Sequence, residues 1–94
     1  MAENVDEISM NYEEDGVLLV KEVGKEILTK GAWATILFRY QDFDKATQQY
    51  SSDKYAIRRY QKRNGQYQVK SKFTISGEAQ ARKIIATLTQ WLSP

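Results

Sequence analysis

The segment that decides the fold is KYAIRRYQKRNGQYQVKSKFTI, residues 54–75. At its centre, Asn64-Gly65 is the strongest short-range signal for a two-residue hairpin turn, because both turn positions must accept a positive φ. Apolar and polar residues alternate on either side of this turn, which predicts two antiparallel strands. The segment contains seven basic residues and no acidic one. We therefore expect a hairpin with one strongly cationic face.

Side chains alternate between the two faces of a strand, so the sequence also predicts which residues share a face. In the first strand, Tyr55 and Ile57 form the apolar face. The opposite face of that strand carries Lys54, Ala56, Arg58, Tyr60 and Lys62. In the second strand, the apolar face is expected to hold Val69, Phe73 and Ile75. Its polar face then carries Gln68, Lys70, Lys72 and Thr74.

Composition limits the classes of protein that fit. A chain of 94 residues forms one domain with a modest core. It has no histidine and no cysteine, and so lacks the usual general base, the commonest metal ligands and a disulfide framework. We expect no enzyme activity, metal, cofactor or small-molecule substrate.

The acidic N-terminus does not fit a secretory signal, and no apolar run approaches a membrane span. A cytoplasmic location is expected, associated with the nucleoid in a bacterium.

Charge is divided unevenly along the chain. Residues 1–15 contain six acidic and no basic residues, whereas residues 16–94 contain all 14 Lys and Arg and six acids. We interpret residues 1–15 as an acidic, mobile tail that aids solubility, and residues 16–94 as a single basic domain. The alternative interpretation is that the tail competes within the molecule for the basic face.

Two further strands precede the hairpin. The run 17–28 is rich in β-branched residues, and Gly24 within it indicates a bulge or bend. Lys21 and Lys25 share a face if the register continues across that glycine. Residues 33–40 alternate as a second strand, in which either set of alternate residues could line the core. Residues 41–53 have the composition of a long loop, whose Phe43 and Tyr50 could stack on bases or could fix the loop to the sheet.

After the hairpin the apolar period becomes helical. Ser76 is predicted to be the N-cap, Glu78 favours the first turn, and Ser93-Pro94 ends the helix. The apolar stripe comprises Ala81, Ile84, Ile85, Leu88, Trp91 and Leu92.

The predicted fold is α+β, with a four-stranded curved antiparallel meander followed by one C-terminal helix. The helix should cover the apolar face of the hairpin and leave the cationic face free. Because the stripe is wide for this task, we expect a homodimer whose interface includes Ile84, Leu88, Trp91 and Leu92.

The cationic and aromatic face indicates nucleic-acid binding. Lys and Arg neutralise phosphates, and aromatic rings stack on unpaired bases. Duplex readers commonly insert a helix, and the single helix here is assigned to the core. Single-stranded DNA is therefore the expected partner; the alternatives are RNA on the same face or an acidic protein partner. The candidate binding residues are Lys21, Lys25, Trp33, Arg39, Lys54, Arg58, Tyr60, Lys62, Lys70 and Lys72.

Three short motifs resemble the positive cofactor 4 family of transcriptional coactivators, with its bacterial and phage members and the more distant plant whirly proteins. IRRY at 57–60, preceded by Lys54-Tyr55, is similar to that family's Ile-Arg-acid-Tyr/Trp strand. KSKFTIS at 70–76 resembles the segment that leads into its C-terminal helix, and Val23-Gly24-Lys25 resembles its Ile-Gly-Lys segment. The order and spacing agree, and the resemblance covers roughly residues 17–92.

The resemblance implies a homodimer of curved four-stranded sheets that binds single-stranded or melted DNA with little sequence preference, in transcription regulation, replication or repair. Lys25, Arg58 and the pair Lys70 and Lys72 match the family's DNA-contacting basic positions, and Arg39 is a looser match. The chain departs from the family pattern in several places. Gln61 replaces an aromatic residue, Arg59 replaces an acid, and the segment 41–53 is longer. The long Ser- and Lys-rich N-terminal region of the eukaryotic coactivators is replaced by sixteen residues that include six acids and no basic residue, which argues against a coactivator role.

Overall fold

Four long strands form an antiparallel sheet in which each strand neighbours the next long strand in the chain. The computed structural model describes residues 3–94. The long strands are β2 (Val17–Thr29), β3 (Trp33–Asp44), β5 (Lys54–Arg63) and β6 (Gln66–Ile75). A single helix, α1 (Glu78–Leu92), follows them. The predicted α+β class, the antiparallel meander and the C-terminal helix are confirmed.

Two short strands, both in segments predicted to be irregular, raise the strand count above four. β1 (Tyr12–Glu14) pairs with β2, and β4 (Gln49–Tyr50) folds back on the end of β3. The loop predicted for 41–53 is therefore shorter than expected. Phe43 and Tyr50 fix this segment to the sheet, which is one of the two roles considered for them. Their rings meet edge to face with centroids 5.1 Å apart. The Tyr50 hydroxyl donates to the Leu18 carbonyl at 2.8 Å.

The hairpin turn and the bulge form where the sequence predicts them. Asn64 and Gly65 have φ values of 51° and 78°, so both occupy the left-handed region that a tight hairpin turn requires. In β2, Glu22 lies opposite Tyr40 and Gly24 lies opposite Arg39, which leaves Val23 as an extra residue. This bulge reverses the alternation, because a one-residue shift moves every later side chain to the other face. The register therefore does not continue across Gly24, which was the condition for Lys21 and Lys25 to share a face, and the two lie on opposite faces.

The core lies on the sheet face that was predicted to be free. Of the two candidate sets in β3, the buried one contains Ala34, Ile36, Phe38 and Tyr40. In β5, Ala56 and Tyr60 from the predicted cationic face are buried with them. The sequence of β5 alone could not reveal the burial of this face, because a strand face with three basic residues is expected to be exposed to solvent. The long stems of Lys and Arg allow such residues to border a core while their charged ends reach out of it.

The N-terminal segment covers this core. We call residues 4–11 the strap, and the sheet face beneath it, which carries Ile36, Phe38 and Arg58, the strap face. Val5, Ile8 and Met10 of the strap are all buried in the same cluster. Asn4 and Glu7 form a capping box around a 3-10 turn at Val5–Glu7. The described part of the expected tail therefore packs on the sheet, while Met1 and Ala2 lie outside the described residues.

Helix α1 lies on the opposite face, which we call the helix face and which carries Leu37, Ile57 and Ile75. The helix begins after Gly77 rather than Ser76, so the N-cap prediction is wrong by one residue; Ser76 instead donates its backbone N–H and hydroxyl to the Gln80 side chain. Glu78 in the first turn and the end at Leu92 agree with prediction. None of the described helix residues is fully buried. A groove of about 500 Å³ separates the helix from Leu37 and Ile57.

None of the helices in the described part of the chain is both long and apolar enough to span a membrane.

Candidate nucleic-acid interface

Arg58 lies at the centre of the strap face. The register places it between Ile36 of β3 and Lys72 of β6. Its Nε atom is buried and has no hydrogen-bond partner among the described residues. A buried polar atom without a partner is rare and costly, because it has lost water without gaining a bond. Arg58 therefore has unused hydrogen-bonding capacity, which an external acceptor could reach only once the groups that cover Nε are displaced.

Two clefts open on either side of the strap, and Arg58 lines both. The larger, about 690 Å³, lies between Glu7 and Ile8 of the strap and Tyr60 and Tyr67 of the sheet. The smaller, about 490 Å³, is bordered by Met10, Asn11, Tyr40, Lys72 and Thr74, among others. Together the clefts outline a path across the strands that the strap interrupts.

Five of the predicted basic residues share the strap face: Lys25, Lys54, Arg58, Lys62 and Lys72. They differ in how far their charges are already satisfied. Lys54 forms an ion pair with Asp42 at 2.7 Å, and Lys25 donates to backbone carbonyls of the strap. Within residues 3–94, Lys62 and Lys72 form no ion pair with a carboxylate. These two, with Arg58, are the cations most available to an anionic ligand.

Aromatic rings form part of the same surface. Tyr60 is buried beside Arg58, and burial raises the pKa of its hydroxyl above the ordinary 10.0, while the Arg58 guanidinium acts in the opposite direction. Tyr67 lies opposite Lys62, whose Nζ is 5.5 Å from the centre of the Tyr67 ring. The Tyr67 hydroxyl donates to the Gly31 carbonyl at 2.5 Å, which fixes the ring in place. A row of held rings of this kind can support stacked bases.

Tyr67 and Tyr40 were missed as candidate residues. The signal for Tyr67 is present in the sequence, because a two-residue turn at Asn64-Gly65 forces the pairing of Lys62 with Tyr67. Tyr40 was recognised only as a member of one of two possible core sets. Its ring is buried and borders the smaller cleft.

Three predicted site residues lie on the helix face, away from Arg58: Lys21, Trp33 and Arg39. Lys21 lies over the Tyr50 ring at 5.2 Å. Trp33 is 40% exposed and lies under the Arg59 guanidinium at 4.5 Å. Arg39 forms an ion pair with Asp53. Hydrogen bonds from the Gln41 amide and from the Arg39 guanidinium lower the pKa of the Asp53 carboxyl. The structure does not bring these residues together with the strap-face cations.

Lys70 is displaced by a second bulge. Arg59 lies opposite Ser71 and Tyr60 opposite Val69, so Lys70 is the extra residue of β6. The expected grouping of Val69 with Phe73 and Ile75 is therefore wrong: Val69 faces the larger cleft, while Phe73 lies opposite Ile57 on the helix face. Lys70 itself is exposed on the edge strand, two residues before Lys72 in the chain.

The residues expected at a dimer interface are accessible on α1. Ile84 is half-buried against the groove. Leu88, Trp91 and Leu92 are 47%, 75% and 81% exposed. Contiguous exposed apolar residues are unusual on a monomer and commonly mark an interface.

Comparisons with known proteins add no relative. No protein-family model matches the chain, and no curated protein or solved structure matches it. The resemblance to the positive cofactor 4 family therefore remains a hypothesis carried by three short motifs.

Proposed function

We propose that the protein binds single-stranded DNA with little sequence preference, without catalysis, through the strap face of its sheet. The observation that carries the proposal is the position of Arg58, whose unpartnered Nε lies between two clefts and beside Lys72. The resemblance to a single-strand-binding family adds independent support, because Arg58 and Lys72 match positions that contact DNA there.

Phosphate neutralisation would come from Arg58, Lys62 and Lys72, with Lys70 at the edge of the same path. Each phosphate contact releases counterions, so affinity for a single strand falls with salt by a slope of about 0.7 per contact. Three to four contacts predict a moderate slope. Lys25 and Lys54 contribute only when their present partners are displaced.

Base contacts would come from the tyrosine rings that border the clefts. Stacking of a base on an aromatic ring is worth about 1–3 kcal/mol and tolerates any base, which accounts for low sequence preference. The strap face presents strands and no helix, since α1 lies on the other side of the sheet. This arrangement favours a flexible single strand over a duplex, whose major groove is usually read by an inserted helix.

We further propose that the protein acts as a homodimer joined through α1, in the cytoplasm and in transcription regulation, replication or repair. Support for the dimer comes from the exposed stripe that includes Trp91 and Leu92 and from the apolar groove beneath the helix. A second copy supplies a complementary stripe by symmetry.

An acidic protein partner is the second candidate, and one observation favours it. The strap is itself an acidic peptide segment that lies on this face, with Glu7 beside the cleft that Arg58 lines. An extended acidic segment of another protein would fit the same chemistry. RNA shares the phosphate and base chemistry of DNA, and competition between matched RNA and DNA strands separates the two.

Neutral substitutions at the proposed contacts test the assignment. Arg58→Gln and Lys72→Gln each remove one charge, and we expect each to weaken binding of a labelled strand about fivefold and to lower the salt slope by about 0.7. Lys83→Gln, on the exposed surface of α1, removes the same charge elsewhere and serves as the matched control. Equal affinities in all three variants would place the binding surface elsewhere.

A further inference from the structure

The strap satisfies Lys25 with the kind of oxygen cage that a phosphate would provide. The Lys25 ammonium donates to the carbonyl oxygens of Val5, Asp6 and Ile8 at 3.1, 3.0 and 2.5 Å. A lysine ammonium has three donors, so these contacts use its full capacity. Lys25 cannot bind a phosphate oxygen while the strap is in place.

The strap also covers the aromatic part of the strap face. Its apolar side chains Val5, Ile8 and Met10 share one buried cluster with Phe38 and with three tyrosines, Tyr40, Tyr60 and Tyr67. A base stacked on any of these rings would need the space that the aliphatic side chains now fill. The strap thus occupies one phosphate position, Lys25, and the base positions of the proposed site.

Charge on the strap has the sign of a nucleic acid. Its side chains include Asp6 and Glu7 and no basic residue. Glu7 accepts hydrogen bonds from the backbone N–H groups of Glu3 and Asn4 and borders the cleft that Arg58 lines. An acidic segment at the cleft that Arg58 lines is an intramolecular substitute for an external anion.

Attachment of the strap to the sheet is of a kind that can be broken without disturbing the strands. Within the described residues, backbone-to-backbone pairing with the sheet begins only at Tyr12, which lies opposite Val20. Before that point, the hydrogen bonds between strap and sheet all involve a side chain: the three from Lys25, and two near the end of the strap. Met10 N–H donates to the Glu22 carboxylate at 3.1 Å, and Glu22 N–H donates to the Asn11 side chain at 2.8 Å. Lifting residues 4–11 therefore leaves every ladder of the sheet intact.

We propose that the strap is an intramolecular competitor of the single strand, and that binding requires its displacement from the strap face. This inference rests on the proposed function and adds a mechanism of control to it. The measured affinity is the intrinsic affinity multiplied by the fraction of molecules in which the strap is open. Any change that weakens the strap without touching the sheet should therefore tighten binding.

Hydrogen exchange on the full chain tests displacement directly. When the strap is closed, the Met10 amide donates to Glu22 of the sheet and the Glu22 amide donates to Asn11 of the strap. We expect them to lose protection when a single strand of about 20 nucleotides saturates the protein, while the amides of β3 keep theirs. Met10 and Glu22 amides that stay protected at saturation would overturn the competitor and leave the binding function standing. A strand that does not bind at all would overturn both.

A neutral substitution in the strap provides the second arm. Ile8→Ser removes a buried anchor without changing charge, and we expect about tenfold tighter binding of the same strand. Val17→Ser, at a position 38% exposed at the start of β2, is the matched loss of an apolar side chain outside the strap and should leave affinity unchanged. Both variants are first checked for native circular dichroism. A folded Ile8→Ser protein with unchanged or weaker affinity would overturn the proposal, and if this variant fails to fold, hydrogen exchange on the wild-type chain decides.

Discussion

Arg58 and Tyr60 lie two residues apart on β5, and the strap places both in a partly dry environment. For Arg58 the consequence is an Nε atom that is buried without a partner. Because a guanidinium keeps its charge in proteins, this atom remains a hydrogen-bond donor. For Tyr60 the consequence is a hydroxyl that resists ionisation. Burial of one face thus places a cation with an unpartnered Nε beside a neutral ring.

The Tyr60 shift predicts a specific loss of stability at alkaline pH. Because burial raises the pKa of Tyr60 in the folded state, the folded protein holds this proton more tightly than the unfolded chain does. Its contribution to the free energy of unfolding is therefore complete below pH 10 and falls as pH rises through and above that value. Urea unfolding at about pH 8 and pH 11 should show a smaller loss for Tyr60→Phe than for the wild type.

Tyr12→Phe is the control for this measurement. Tyr12 is 53% exposed, and its replacement removes a tyrosine hydroxyl without altering the core. The alkaline loss in this variant should equal that of the wild type. An equal loss in Tyr60→Phe as well would contradict the assignment of part of the alkaline loss to Tyr60.

At the scale of elements, helix α1 is the least integrated part of the fold. None of its described residues is fully buried, and its apolar stripe faces both the groove and solvent. An isolated helix of 15 residues is marginal in water, and helices in proteins gain most of their stability from packing of an apolar face. The proposed dimer would supply that packing.

Charge in the apolar stripe should therefore separate the subunits. Trp91→Glu places a carboxylate where the second copy is expected, and we expect the dimer dissociation constant to rise at least about 100-fold, because burial of an unpaired charge is costly. Sedimentation velocity of the wild type should give twice the chain mass. Lys83→Glu changes charge on the same helix outside the stripe and should remain dimeric; a monomeric wild type would contradict the dimer.

The elements themselves follow from local sequence signals, whereas the faces do not. The turn at Asn64-Gly65 and the bulge beside Gly24 both occur where the residues require them. A second bulge at Lys70 carries no such signal, because it arises from pairing between strands rather than from a glycine. One unrecognised bulge is enough to move Val69 from one face to the other.

The strap was misjudged because its acidic residues dominate its composition. Val5, Ile8 and Met10 are the only strong apolar positions in this part of the segment, and they match no regular period. The Asn4 and Glu7 capping box is a local signal for a short turn, and it was available in the sequence. What sequence could not supply is the destination of these side chains, which depends on the aromatic residues of β3 and β5. For the same reason the sequence could not show that the strap covers Lys25 and the tyrosine rings of the candidate site.

In the whole molecule, the two faces of one sheet carry different surfaces. The strap face carries the core, the cations and the segment that covers them, while the helix face carries an incomplete apolar surface. Strap closure depends on three buried apolar anchors and on hydrogen bonds outside the sheet ladders, so it is the part of the fold that can open while the strands stay paired. A ligand of ordinary affinity can shift such an equilibrium.

Whether the protein binds single strands is decided by one titration. Fluorescence anisotropy of a labelled strand of about 20 nucleotides is followed across a salt series, with the matching duplex as competitor. We expect saturable, salt-dependent binding that excess duplex displaces poorly. Displacement by duplex as efficient as by unlabelled single strand, or no binding at about 0.15 M salt, would contradict the proposed function.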